Sequence, residues 1–474
     1  MAAGLAACGS SASGGDALQT ELSYLPPGSP LVLTVQTDPN SPAVKNTVAF
    51  LGRFPFTAVL ESALINRLKQ SGVDYNADVK PLFGNPLALA VTAPRLSAGT
   101  GSRNFVIVWV TKSSSALRSL VQRTSSGLHR VGSHDGADLY ASSGTALAVD
   151  GSTLILGPNS SSVVNALDRH ANSRGISKDE YSRSTNGLPS DAMLYAFGNL
   201  QRILAASPQA RRDTRIPWVG AVTRYGVSVA PSSSGLTIRE HVDTSGATLT
   251  SAQLPFAPGT AAPQLPSGFP IGAGLRDPQQ LVAFIQAAQR ISTPAKYALW
   301  QRRQARLLAR TGASTNQLLQ QLTGNVVLGS DVKTTMIRSD VRDPAATAQI
   351  LGRLAKDPAD TMSGSTVTST SGFYVYHRPN GSTETVGVAS GKLLLGIKTP
   401  PAQLSSFATA PTAPAPNAQG SFAFSVALPQ LIALASRGSS TRIPPALLNS
   451  LGNLTGWASA AVTGVDGSAT VAFK

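Results

Sequence analysis

The chain has 474 residues, 42% of them hydrophobic and 13% charged, at a mean hydropathy of +0.03, and no run of apolar residues is long enough for a membrane span. That length exceeds one ordinary core and predicts two domains of roughly two hundred residues. A single cysteine, Cys8, excludes an internal disulfide, while 39 Lys and Arg against 24 Asp and Glu give a net charge of +15 and favour acidic partners.

The chain opens MAAGLAACGSSASGGD, in which Leu5-Ala6-Ala7-Cys8 resembles the lipobox of bacterial lipoproteins. There the cysteine thiolate is alkylated by a diacylglyceryl group, and small residues before it admit a peptidase to the backbone. No basic n-region and no full apolar h-region precede Cys8, so the sequence reads as a precursor whose start lies upstream of Met1. Residues 1–23 are expected to be this lipobox followed by a flexible Gly-Ser tether.

Period-2 apolar runs then predict strands at 31–37, 86–92, 105–112, 139–142, 146–150, 153–157 and 193–197, with two more after Trp218. Helical spacing predicts helices over 43–51, 58–70, 116–124 and 161–170. The pattern recurs about 240 residues later. LPPGSPLVLTVQTDP from Leu25 is echoed by LPSGFPIGAGLRDP from Leu265, Gly72 by Gly312, Gly84-Asn85 by Gly324-Asn325, and Trp218-Val219-Gly220 by Trp457-Ala458-Ser459. The expected fold class is α+β: two tandem homologous domains, each a curved, mostly antiparallel sheet covered on one face by helices. Boundaries are expected at 24–250 and 264–474, with 251–263 as a Pro-rich linker and Thr409 to Gly420 as a second Pro-rich loop.

The lipobox, the stretch YLPPGSPLVLTVQTDP and the segments SALRSLVQR, GADLYAS and ALAVDGSTLILG together resemble a bacterial envelope family known as domain of unknown function 3352. The resemblance implies a lipoprotein without an assigned activity and brings no site residues.

The residues themselves offer little catalysis. Asp38-Pro39, Asp277-Pro278 and Asp343-Pro344 read as helix caps, where a carboxylate accepts backbone N–H bonds and proline loses no needed donor. His129, His134 and Asp135 are metal-capable types, but a solvated hairpin is the expected reading, and the corresponding stretch 367–372 has no histidine. No nucleophile elbow, P-loop or dinucleotide fingerprint appears, so neither an enzyme, a cofactor nor a metal is expected. One charge cluster stands out: AKYALWQRRQARLLARTG places Lys296, Arg302, Arg303, Arg306 and Arg310 on one helical stripe, bordered by Trp300, Leu307 and Leu308, with no acid between Asp277 and Asp331. It reads either as contact with an anionic membrane or envelope component, or as a solvated face whose apolar side packs on the sheet. Nucleic acid is not expected as a partner, because aromatics are not interleaved with the bases and export past a membrane would remove it. The expectation is a membrane-anchored extracytoplasmic lipoprotein, held through Cys8, that binds rather than catalyses, either carrying or sensing a lipid-like or other apolar ligand or serving as a structural scaffold of the envelope.

Overall fold

A computed structural model describes residues 13–54, 56–93, 104–123, 128–244, 246–357, 364–435 and 450–473. Contacts divide the chain into two compact units, Met1–Ser207 with Thr223–Asp243, and Pro208–Val222 with Thr244–Lys474.

In the first unit the strands are β1 (Leu31–Val35), β2 (Leu87–Val91), β3 (Phe105–Val110), β4 (His129–His134), β5 (Ala137–Ser142), β6 (Thr145–Asp150), β7 (Thr153–Gly157), β8 (Leu194–Asn199), β9 (Arg224–Ser232) and β10 (Gly235–Asp243). All pairs are antiparallel, in the order β4-β5-β6-β7-β3-β2-β1-β8-β9-β10. The helices are α1 (Ser13–Tyr24), α2 (Pro42–Leu51), α3 (Phe56–Gln70), α4 (Ser114–Arg123), α5 (Ser160–Ala171), α6 (Lys178–Ser184) and α7 (Leu200–Ala205).

Alternation along the strands decides which side chains reach each face. Val32, Ala88, Ala90, Val106, Val108 and Ile155 point to one face and pack with Leu22, Tyr24 and Leu25 from α1 and its end, and with Val163, Ala166 and Leu167 of α5. Leu147, Val149, Leu154 and Leu156 belong to a second cluster with Leu117 and Val121 of α4. Helices therefore cover both faces rather than the expected one, because β6 and β7 carry apolar residues at odd and even positions alike.

The expected tether is also corrected. Residues 13–24 form α1, which buries Ala17, Glu21, Leu22 and Tyr24. Its apolar residues Ala17, Leu18 and Leu22, with Leu25 just past its end, recur at helical spacing. A glutamate inside that stripe and a Gly-Ser start conceal it.

The second unit contains β11 (Gln264–Pro266), β12 (Ile271–Arg276), β13 (Leu322–Ser330), β14 (Thr335–Val341), β15 (Thr366–Thr370), β16 (Phe373–His377), β17 (Thr383–Ala389), β18 (Lys392–Ile397), β19 (Thr412–Pro414), β20 (Phe422–Ala427), β21 (Leu451–Ala461) and β22 (Gly464–Phe473). Its main sheet is antiparallel, in the order β15-β16-β17-β18-β14-β13-β12-β20-β21-β22. Strand for strand, that is the order found in the first unit. The helices include α8 (Pro208–Asp213), α9 (Pro217–Ala221), α10 (Pro278–Ser292), α11 (Pro294–Thr311), α12 (Thr315–Leu319) and α13 (Pro344–Leu354), and a further helix spans Pro401–Thr409. Phe373, Leu394, Leu404 and Phe407 centre its core.

Three expectations fail here. Trp218 sits on α9 in the second unit, where its ring meets Phe284, so it and Trp457 on β21 belong to one unit and are not equivalent positions. The Pro-rich loop is not a plain loop: within it β19 pairs with β11, Leu265 opposite Ala413, and Ala415 is buried, as are Leu254 and Ala257 of the stretch ahead of β11. Proline is tolerated there because a two-stranded sheet has only edges. Of the three Asp-Pro steps, only Asp343 caps with its side chain, accepting from the Ala346 N–H at 3.0 Å. Asp277 occupies its N-cap position with φ +52 but turns its carboxylate to Arg276, and Asp38 closes a turn onto the Asn40 N–H ahead of Ser41, the actual cap.

Candidate binding groove and basic helix

The sequence of α11 splits the helix lengthwise. Tyr297, Trp300, Gln301, Gln304, Leu307 and Thr311 recur every three to four residues and are the half-buried face. Proline at its first turn and Gly312 at φ +70 after its last define the ends. Gln304 then accepts the Thr315 N–H at 2.9 Å, and Arg353 of α13 donates to the Gly312 carbonyl at 3.2 Å, so α11, α12 and α13 are tied together. The half-buried face packs on α10 and α13.

Beneath these helices lies a cavity of about 270 Å³. Its apolar lining is Leu307 of α11, Leu318 of α12, Leu351 and Leu354 of α13, and the cross-strand pair Val386 and Leu395 of β17 and β18. Thr315, Tyr376 and Thr385 also reach it, as do Asp357, Arg378 and Glu384, each held in an ion pair. Arg310 grips Asp357 through both oxygens, at 2.9 and 2.8 Å, and Arg378 holds Glu384 at 2.8 Å while its guanidinium lies 5.3 Å from the Tyr376 ring centroid. Asp357 keeps only 9% of its side chain exposed, and its bond holds the Arg310 guanidinium above its ordinary pKa. A floor of six aliphatic side chains with charge-balanced polar groups beside it suits an apolar chain carrying a polar end, and the volume is at the small end of ligand sites.

The five stripe residues lie on one helix, but not in one state. Lys296, Arg302, Arg303 and Arg306 are exposed, whereas Arg310 is committed to Asp357. Trp300 turns inward onto Tyr297, with ring centroids 5.9 Å apart, and Leu307 lines the cavity. Leu308 and Leu299 are the large apolar residues of α11 left outside, 43% and 47% exposed. Leu299 was not singled out by the sequence, although on a helical wheel it falls between Arg306 and Arg310. Cys8 lies outside the described residues.

The first unit has a different cleft, about 290 Å³, lined by Asn104, Asn159, Asn165, Arg169 and neighbours. Polar and apolar groups share its lining about equally, with Phe105 and Val106 beside the asparagines, and Arg169 Nε already donates to the Tyr24 carbonyl at 2.9 Å. Among the described residues no helix is long and apolar enough to cross a membrane.

These features define an α+β protein built on antiparallel sheet. A family model described as "Protein of unknown function (DUF3352)" matches residues 2–335, and the chain belongs to that family. No curated protein matches it. Among solved structures, crystal forms III and I of TP0453 align at 11% identity and a TM-score of 0.28, over 48% of this chain and 82% and 81% of theirs.

Proposed function

We propose that this protein is a membrane-anchored, extracytoplasmic lipoprotein that binds an apolar, lipid-like ligand rather than catalysing a reaction, and that its two units arose by duplication. The observation that carries the binding reading is the cavity between α11–α13 and the sheet, floored by Leu307, Leu318, Leu351, Leu354, Val386 and Leu395. The common strand order supports the duplication. A fatty acid bearing an environment-sensitive fluorophore is expected to bind saturably. Leu395→Trp, at a position 38% exposed and so able to accept the ring, should fill the cavity and weaken binding at least ten-fold, while Leu64→Ser on α3 leaves it unchanged. Absence of binding, or equal affinity in all three proteins, would reject the cavity as the site.

The scaffold reading rests on another observation: Val48, Val59 and Leu64 on α2 and α3 are 64%, 68% and 58% exposed, a surface suited to a protein partner. If the fluorophore fails to bind, that surface becomes the better account.

Anchoring is expected through Cys8. From Cys8 to Ser13, where α1 begins, an extended chain reaches at most about 17 Å, so a lipid on Cys8 would hold the first unit against the bilayer. Two or more acyl chains give stable attachment. Mass spectrometry of the N-terminal peptide from membranes of cells expressing the full gene should find a diacylated Cys8, and an unmodified thiol there would contradict it.

The exposed bases of α11 are expected to contribute about 1 kcal/mol each near an anionic surface. In unlipidated protein, changing Lys296, Arg302, Arg303 and Arg306 to Gln should abolish co-sedimentation with anionic vesicles, and salt should mimic the substitutions. Arg310 is left intact because removing it strands the largely buried Asp357. Unchanged sedimentation would mean a merely solvated face.

A further inference from the structure

The hairpin that reads as solvated from the sequence meets a third residue in the fold. His134 ends β4 and pairs with Ala137, which leaves Asp135 and Gly136 as a two-residue loop with φ +49 and +85. Positive φ at both positions is the type I′ turn, whose twist matches the strands and fixes where Asp135 stands. From the other side comes α5, anchored by buried Val163, Ala166 and Leu167, which brings Asp168 from 34 residues away. His134 Nε2 lies 2.7 Å from Asp168 Oδ1 and 3.5 Å from Asp135 Oδ2, and one ligand atom from each residue falls within 4.8 Å of the others.

We propose that His134, Asp135 and Asp168 hold one divalent first-row transition-metal ion, with water in its remaining positions. An imidazole nitrogen with two carboxylate oxygens is a donor set that suits zinc and its neighbours better than magnesium or calcium, which take oxygen alone. Metal–donor bonds of about 2.0–2.2 Å put neighbouring donors roughly 3.0–3.5 Å apart around one ion. The His134–Asp135 separation already meets that, and the His134–Asp168 separation must open by only a few tenths of an ångström. All three side chains are 33% to 55% exposed, so they can make that adjustment and the ion has an open approach. Two carboxylates against a neutral imidazole leave a double negative charge, which the ion cancels in a chain that is otherwise strongly basic. The bound ion would cross-link the β4–β5 hairpin to α5.

Calorimetric titration of the full chain with zinc chloride tests this, backed by the visible spectrum after cobalt loading. One ion per chain is expected. His134→Ala and Asp168→Asn should each weaken binding ten-fold or more, whereas His129→Ala, at the other end of β4, should not. Zinc should also raise the melting temperature of wild type but not of His134→Ala. Absence of saturable binding at sub-millimolar zinc, or binding that survives both ligand substitutions, would reduce the cluster to a hydrogen-bonded hairpin-to-helix bridge and overturn the assignment.

Discussion

Replacing Glu21 with Gln is expected to stabilise the first unit at pH 8 by on the order of several kcal/mol and to remove most of its loss of stability toward alkaline pH. Glu21 is fully buried on α1. Its Oε1 accepts the Val110 N–H at 3.0 Å, and its Oε2 is buried without a partner. Burial pushes the carboxyl from 4.5 up to about 9, against the opposing pull of the Val110 bond. The folded state therefore holds a proton that the unfolded chain releases at 4.5. Stability from this group is full below that value and falls by up to about ten-fold in the folding equilibrium per pH unit until pH passes the folded value. Gln accepts the same N–H and never ionises, so the variant should match wild type at pH 4 and exceed it increasingly above. Denaturant unfolding from pH 4 to 9, with hydrogen exchange read at α1 and β3, checks this. Parallel pH profiles for the two proteins would show that the carboxyl finds solvent or a partner.

The second large effect is expected at Arg338 on β14, which is 7% exposed. Its Nη1 donates to the carbonyls of Phe407, Ala408 and Ala410 at 2.6, 3.1 and 2.8 Å, and its guanidinium lies 5.2 Å from the Phe407 ring centroid. Those carbonyls end the Pro401–Thr409 helix, where intrahelical donors run out and the helix dipole is negative. Burial opposes the charge and lowers the Arg338 pKa, and the three acceptors offset that cost. Arg338→Met keeps much of the volume but removes the donors, so a loss of about 3 kcal/mol is expected, with exchange protection lost first over 401–410. A loss below about 0.5 kcal/mol would show that water replaces the guanidinium.

How far the fold was legible follows from the kind of signal each element carries. The strands β1, β2, β3 and β7 bury side chains at alternate positions and β6 buries a run of four, and the predicted positions of all five agree with the structure to within two residues. α1 was hidden because a buried Glu21 breaks its apolar stripe, a position that pattern reasoning assigns to water. The β11–β19 pairing was hidden because prolines mark turns more often than edge strands. Among site residues, the α11 bases were readable from helical spacing alone, but the Arg310–Asp357 pair joins residues 47 apart and has no local signature. Asp168 beside His134 is the same kind of long-range meeting. The cavity is a gap between packed layers, assembled from Leu307 to Leu395, and no motif encodes a gap.

Native mass spectrometry of the full protein, gently extracted from the membranes of cells that express it, tests the binding claim most directly. The account predicts a non-covalent adduct with the mass of a single small amphiphile, present in wild type, retained in Leu64→Ser and lost in Leu395→Trp. A spectrum showing only the unliganded mass, or an adduct that Leu395→Trp leaves in place, would contradict it.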